Sequence, residues 1–384
     1  MALIRDLMIF MINKARLRKR ILSHLEACGI DMRSGRSPMS LTKESYRDAH
    51  RSKRLEKLEK NLKFLEKKAV VLTSSIANGF EVNPEKIKPI MREVKSGTRD
   101  ADLFRFACLQ WSIPVSEGYG RRQRFVVEDA QNGKLIGIFG LGDAVFNMRA
   151  RDNYIGWNAS NRENRLVNMM DAYIVGAVPP YNRLLGGKLI ASMIKSQEIV
   201  QSFREKYGAR IGLISGVKKD PHLCAVTVTS ALGKSSLYNR LRFKDQAIFE
   251  HIGSTEGWGH FQFPDEIFRQ LSELLEEIDA GESKRYEFGH GPNWKIRTIR
   301  RGLATLGMDG DLLRHGYQRE IYICRFGDDA LQVLCGKKKK PSYKGVKPLT
   351  EMVELALGRW VVPRAWRYPD YQMFTRDQFL QSFL

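Results

Sequence analysis

Gly186 and Gly187 open what reads as a helix at the end of a strand, in the stretch VGAVPPYNRLLGGKLIASMIKSQEIV from Val175 to Val200. Such a turn can cradle a phosphate, because free backbone N–H groups and the helix dipole both point at it, and Arg183 adds a charge. The same glycines would equally allow close helix–strand packing. A second cluster is RDNYIGW, Arg151 to Trp157. Arg151 suits a phosphate, and Asp152 suits a general base or a metal ligand. The alternative has Asp152 capping a turn, Arg151 paired with a carboxylate and Trp157 filling a core edge. Tyr238, in SSLYNRLRF, is a general acid if its hydroxyl faces a cleft and the anchor of a short helix if it does not.

Asp171 stands in an otherwise apolar strand, where period-two alternation places it on an exposed face. His251, His260 and His290 match no metal spacing, so structural or surface roles are expected of them. Five cysteines, Cys28, Cys108, Cys224, Cys324 and Cys335, are scattered without a C-x-x-C pair. That pattern predicts reduced thiols and no metal site. GKSS at 233–236 lacks the upstream glycine of a nucleotide-binding loop, Thr229 standing in its place.

These residues need elements to hold them. Residues 29–43, rich in Gly, Ser and Pro, read as a linker. Leu55, Leu58, Leu62, Leu65, Ala69 and Leu72 recur at steps of three and four, which predicts one helix with an apolar seam packed on its own domain, the alternative being an intermolecular coiled coil. From about Thr98 the pattern turns to mixed α/β. RQRFVVEDAQNGKLIGIFGLG predicts a hairpin through Asn132-Gly133. RLVNMMDAYIVGAVPP predicts a long strand, with a helix from about Leu185. ARIGLISGV and LCAVTVTSAL predict two more strands, and SSLYNRLRF a short helix. A helix at 264–279, an irregular aromatic stretch YEFGHGPNW and a strand REIYICRF follow.

The net charge is +21, an excess that points to a polyanionic partner, most often nucleic acid. Residues 1–70 hold 18 basic and 8 acidic residues. Arg16, Arg18, Lys19 and Arg20, with Lys14, form one dense cluster. Lys337, Lys338, Lys339 and Lys340 form another, in GKKKKPSYKG. Contacts of this kind bind phosphates without reading sequence. Tail arginines beside Trp360, Trp366 and Tyr368 would add base stacking on single strands. The bland alternative is solvated loops that keep the chain soluble. The N-terminal apolar run is too short to span a membrane and precedes its basic cluster, the reverse of a signal peptide, so a cytoplasmic protein is expected.

The order helix, hairpin, long strand, glycine-opened helix, strand resembles that of GNAT acetyltransferases. VPPYNRLLGGKL resembles their pyrophosphate loop and SSLYNRLRF their A-x-x-L-Y-x-x-x-G-F segment, whose tyrosine commonly protonates the leaving thiolate. Carried over, the resemblance assigns Arg183, Gly186 and Gly187 to an acyl-CoA cofactor and Tyr238 to the acid. Lys188 and Arg242 depart from it, where a small residue and a glycine are usual, so acyl-CoA is not the favoured ligand.

RDNYIGW, followed by NRENRLVNMMDAYIVGAVPPYNRLLGGKLIASMIKSQEIVQSFREKYG, resembles the DruA family over roughly residues 98–250. That resemblance implies a component of a Druantia anti-phage defence system, with other subunits including a helicase-like protein as partners, and attaches no reaction. The expected fold is α+β or mixed α/β in four regions. They are a basic N-terminal helix and linker (1–40), a helical region (41–97), a GNAT-like core with a central sheet flanked by helices (98–255), and a smaller C-terminal α+β region with the basic loop (256–384). The expected role is a defence subunit contacting DNA or RNA. The alternatives are a GNAT-type acyltransferase acting on a protein or nucleic acid, and a scaffold for acidic partners.

Overall fold

The Asn132-Gly133 turn folds two apolar runs against each other, with Gly133 at the left-handed φ of +68°. These runs are neighbours in a seven-stranded sheet. In chain order the strands are β1 (Pro89–Glu93), β2 (Arg122–Asp129), β3 (Lys134–Asp143), β4 (Met169–Ala177), β5 (Ala225–Thr229), β6 (Arg242–Phe243), β7 (Gln246–Ala247), β8 (Glu250–Ser254) and β9 (Glu320–Arg325). The sheet runs β1-β2-β3-β4-β5-β9-β8, and β6 and β7 form a separate small hairpin. The structure, a computed structural model, describes residues 13–28, 30, 41–115, 120–209, 216, 219–278 and 294–383.

The chain divides into two compact units. One holds residues 1–56, 231–233 and 256–319, the other residues 57–230, 234–255 and 320–384. The second unit is mixed α/β, its sheet covered by helices on both faces. Phe125, Val127, Phe139 and Leu141 pack under helices Gly186–Met193 and Gln197–Tyr207. Val126, Leu135 and Ile138 pack with helices Leu62–Thr73, Arg99–Gln110 and Arg376–Gln381. Strands buried on both faces lose the polar alternation of a half-exposed sheet, which is why β3 reads as a nearly continuous apolar run.

All sheet pairings are antiparallel except β4 with β5. That parallel seam covers only three pairs, Met169 with Ala225, Met170 with Val226 and Asp171 with Thr227. The two helices 186–193 and 197–207 make the crossover that parallel neighbours need. On the far side of β5, Glu320 gathers the points where the chain leaves and re-enters this unit. Its carbonyl accepts from Ser230 N at 2.8 Å, its carboxylate accepts from Ser235 N at 2.9 Å, and its partner in β8 is Ser254.

The sequence assigned several of these elements differently. β1, placed in the helical region 41–97, is an edge strand, and β9, placed in the C-terminal region, lies inside the sheet. The expected helix over Leu55–Leu72 is two helices, Arg51–Glu59 and Leu62–Thr73. Asn61 breaks it. Its side-chain N–H donates to Lys57 O at 2.6 Å, and its Oδ1 accepts twice from Arg105. Leu55 and Leu62 are consequently more than half exposed, at 54% and 51%. SSLYNRLRF is a series of turns over 236–240 leading into β6 instead of a short helix, although Ser235 Oγ accepts from the N–H groups of Leu237 and Tyr238 as a helix cap would. ARIGLISGV, YEFGHGPNW and His290 lie mostly or wholly outside the described residues. No helix among the described residues is long and apolar enough to cross a membrane.

The first unit is built on helices Lys14–Ala27, Lys43–Ala49, Asp265–Ile278 and Trp294–Thr305. Leu17, Ile21 and Leu25, one helical turn apart, meet Ile267, Leu271, Ile299 and Leu303 in a single core. Beside it lies a histidine cluster. His50 stacks on Phe261, with ring centroids 4.1 Å apart, and His315 meets the same ring edge-on. Arg319 donates to His50 Nε2 at 2.8 Å, so His50 Nδ1 carries the proton and donates to Tyr46 O. Burial, helped by nearby Arg319, lowers His50 to about 4 and His315 to about 3. Burial, helped by Lys295 and Lys53, lowers His260 to about 4.

In the unfolded chain these histidines take protons near 6.5, whereas the folded ones stay neutral to about 4. The first unit is therefore most stable above pH 6.5. Below that it loses up to about 1.4 kcal/mol per histidine per pH unit. Hydrogen-exchange protection in helices 265–278 and 294–305, corrected for intrinsic rates, should fall between pH 6.5 and 4.5. A flat profile would contradict neutral burial of the cluster.

Candidate functional site

Most of the residues singled out from the sequence fall into three places in the second unit. The first surrounds Arg151. Helix Arg149–Ile155 follows β3 through a short loop and ends at Gly156, whose φ of +79° closes it in the left-handed region. RDNYIGW is thus a helix end. Arg151 is fully buried, at 0% exposure. Its Nε and Nη2 donate to Asp152 Oδ1 at 2.9 and 2.7 Å, and its Nη1 and Nη2 donate to the carbonyls of Val145 and Phe146 at 2.6 and 3.0 Å. Asp152 Oδ2 takes a third arginine bond, from Arg162 Nη1 at 2.8 Å. Trp157 lies buried beneath, with Nε1 donating to Leu334 O at 2.7 Å.

Asp171 joins the same network. The sequence put it on an exposed face, yet its carboxylate is enclosed and bonded at both oxygens. Val145 N donates to one at 2.7 Å and the Thr227 hydroxyl donates to the other. Burial raises its pKa, and the two donors and nearby Arg151 oppose that rise. Neither Thr227 nor Arg162 was marked from sequence. The asparagine-and-arginine run NRENR was the available signal, since Asn158 caps helix Ala159–Arg165, which carries Arg162 and Arg165.

The second place is the glycine turn after β4. Helix Gly186–Met193 starts behind Leu185, which holds φ +60°. A Cβ at Gly186 would stand 2.6 Å from Tyr181 O and 3.0 Å from Ala177 Cβ, and one at Gly187 would stand 3.0 Å from Leu237. Both glycines therefore admit close packing of helix, strand and turn. Arg183 Nη1 donates to Asp370 O at 3.1 Å. Tyr238 is buried, its ring 5.1 Å from Phe249 and 5.4 Å from Tyr322 by centroids. Burial raises the pKa of its hydroxyl, with the Tyr322 phenol adding to the rise, so it stays protonated at neutral pH. Arg151 lies 5.5 Å from the Trp157 ring, beside the core patch of Trp157 and Ile155, whereas Tyr238 sits in that of Leu189 and Phe249. A hollow of about 470 Å³ between helix 197–207 and the start of β5 is lined by Val200, Arg204, His222, Leu223 and Tyr343, and not by Arg151, Asp152, Arg183 or Tyr238.

The third place is the lysine loop after helix Ala330–Leu334. Asp329 pins it by accepting Ser342 N at 2.9 Å and pairing with Lys338 at 3.0 Å. Gly336, at φ +79°, lies under Arg165, whose Nη2 would stand 2.8 Å from a Cβ there. Lys337, Lys339 and Lys340 are exposed, and no ion pair joins them to a carboxylate among the described residues. In the first unit, Arg16, Arg18 and Lys19 are exposed on helix 14–27, while Arg20 is paired with Glu266 at 2.9 Å. Among the described residues no three His, Cys, Asp or Glu could hold a metal ion. All five cysteines are free thiols.

Comparison with known proteins adds two findings. A family model described as "Druantia protein DruA" matches residues 40–336. A curated relative, "Druantia protein DruA" from Escherichia coli (strain UMEA 4076-1), is 44% identical over 372 residues, covering 96% of this chain and 92% of its own. No solved structure matches.

The Arg151–Asp152–Arg162 arrangement has a measurable consequence. Asp152→Ala strips a buried guanidinium of its carboxylate and should cost about 3 kcal/mol or more in urea unfolding. Arg162→Ala removes a partly exposed partner and should cost about 1 kcal/mol. Equal, small losses would show that the enclosed pair does not hold the loop.

Proposed function

The chain belongs to the DruA family and is a component of the Druantia anti-phage defence system, and we propose that it contacts nucleic acid through the lysine loop at 337–340. Membership implies other subunits. A helicase-like protein among them is part of this proposal.

The observation that carries the reading is the state of the loop's charges. Lys337, Lys339 and Lys340 are exposed and unneutralised among the described residues, on a segment fixed at both ends. A loop already held in place loses little entropy on meeting a phosphate backbone. Arg165 extends the cationic surface from a separate helix, and Lys340 is close enough to lower the pKa of His222. Arg16, Arg18 and Lys19 offer a second set of phosphate contacts in the first unit. Charge of this kind positions a protein on a duplex without reading bases.

The β4–β5 seam supports a GNAT-like frame for the core. Its strands pair in parallel for three residues, and the rest of β4, from Ala172 to Ala177, has no partner in β5. Parting strands beside a glycine-opened helix are the skeleton of that fold. The room at Gly186 and Gly187 is taken up by Tyr181, Ala177 and Leu237. An acyl-CoA pyrophosphate therefore gains no cradle from the missing side chains.

Duplex binding measured across a salt series tests the nucleic-acid reading. The affinity should fall steeply with salt, and reversing Lys337, Lys339 and Lys340 to Glu should flatten the log–log slope by about 2 to 3. The loss should be equal across sequences, and Lys338→Glu should do less, since Asp329 already neutralises it. Binding that ignores salt, or a slope unchanged in the triple variant, refutes the reading.

A further inference from the structure

Six cations line a different surface of the second unit, five along residues 183–188 and 359–368 and the sixth at Arg240. Lys188 Nζ lies 5.1 Å from the centre of the Trp360 ring and Arg359 lies 5.6 Å from the same ring. The charges acting on Lys188 are Arg240 and Arg359, which together with burial lower its pKa. Arg183, Arg364 and Arg367 are held by peptide carbonyls, those of Asp370, Arg183 and Pro363 respectively. Among the described residues none of the six is in an ion pair with a carboxylate. Such a concentration of like charge is self-repelling until a polyanion meets it.

Two exposed aromatics accompany these charges. Trp366 is 72% exposed and Tyr368 49%. The Arg364 guanidinium backs the Tyr368 ring at 3.7 Å. Trp360, by contrast, is buried at 7%, so it supports the cations instead of meeting a ligand. The local cause is Pro363. It has no N–H for Arg359 O, and the helix widens into a π turn over Leu357–Val361 before resuming at Val362–Arg367. That irregularity separates the buried Trp360 from the exposed Trp366. A duplex stacks its bases on one another and hides their faces, whereas a single strand offers them to aromatic side chains.

We propose that the 183–188 turn and the 359–368 segment bind single-stranded nucleic acid, with Lys188, Arg240 and Arg359 taking backbone phosphates and Trp366 and Tyr368 stacking bases. This rests on the nucleic-acid reading above and adds a second surface with its own strand preference. The lysine loop meets phosphates of any form; this surface requires unpaired bases.

The test uses the full chain with labelled oligo(dT), oligo(U) and a blunt duplex of the same length, read by fluorescence anisotropy. Arg240→Glu with Arg359→Glu, and separately Trp366→Ala, should each weaken binding of at least one single strand tenfold or more. Duplex binding should change less than threefold in both. Oligonucleotide should quench tryptophan fluorescence in the intact chain, with the quench reduced in Trp366→Ala. If the double reversal lowers the melting temperature, Arg240→Gln with Arg359→Gln is read in its place. Equal losses for duplex and single strands would make this a general phosphate patch and overturn the proposal, as would no loss for either. The reading of the lysine loop is judged separately, by the Lys337, Lys339 and Lys340 reversal on the duplex.

Discussion

A guanidinium sealed from water has to be answered by oxygen atoms, and Arg151 finds them in Asp152 and two peptide carbonyls. That requirement organises one end of the sheet. By taking the carbonyls of Val145 and Phe146, Arg151 fixes the loop after β3. Val145 then presents its N–H to Asp171 on β4, whose other oxygen takes the Thr227 hydroxyl on β5. One chain of contacts thus runs from β3 through β4 to β5, and its last link falls at the final pair of the parallel seam. Asp152, shared with Arg162, carries the same order outward to helix 159–165 and through Arg165 to the lysine loop.

Much of the sheet was legible in the sequence because its signals are local. Asn132-Gly133 marks a tight turn, and β5 and β9 are β-branched or apolar runs bounded by breakers. What failed involved partners distant in sequence. Asn61 looks like any polar residue on a helix surface until Arg105, forty-four positions on, claims its carbonyl oxygen. Asp171 follows the alternation rule for an exposed residue, but Val145 from the loop after β3 and Thr227 from β5 bond its carboxylate. RDNYIGW was visible as a concentration of unusual residues. Its meaning depended on Arg162, which no spacing rule links to Asp152.

Net charge is likewise a poor guide to which cations can meet a ligand. Arg20 and Lys338 belong to the densest basic runs, yet each has a carboxylate beside it. Lys188 and Arg240 lie outside the dense basic runs and are among the cations with no ion pair in the described residues. Counting basic residues per window overlooks them, because what isolates a cation is the absence of an acid in space. Trp360 and Trp366 show the same for aromatics: six positions apart in one basic tail, they have opposite environments because Pro363 changes the helix between them.

Glu320 gives the chain's threading a physical anchor. The first unit is assembled from three stretches, and about 200 residues separate its opening part from its largest one. Joining the ends of so long a free chain costs on the order of 5 kcal/mol. With Ser230, Ser235 and Ser254 all tied to Glu320, the second unit holds the ends that flank residues 231–233 and 256–319 near one another once it has formed. The start of β9 then works as a clasp, so that residues 256–319 leave and return at adjoining points of the sheet. Neither unit can be excised by a single cut, because each is drawn from three separate stretches of the chain.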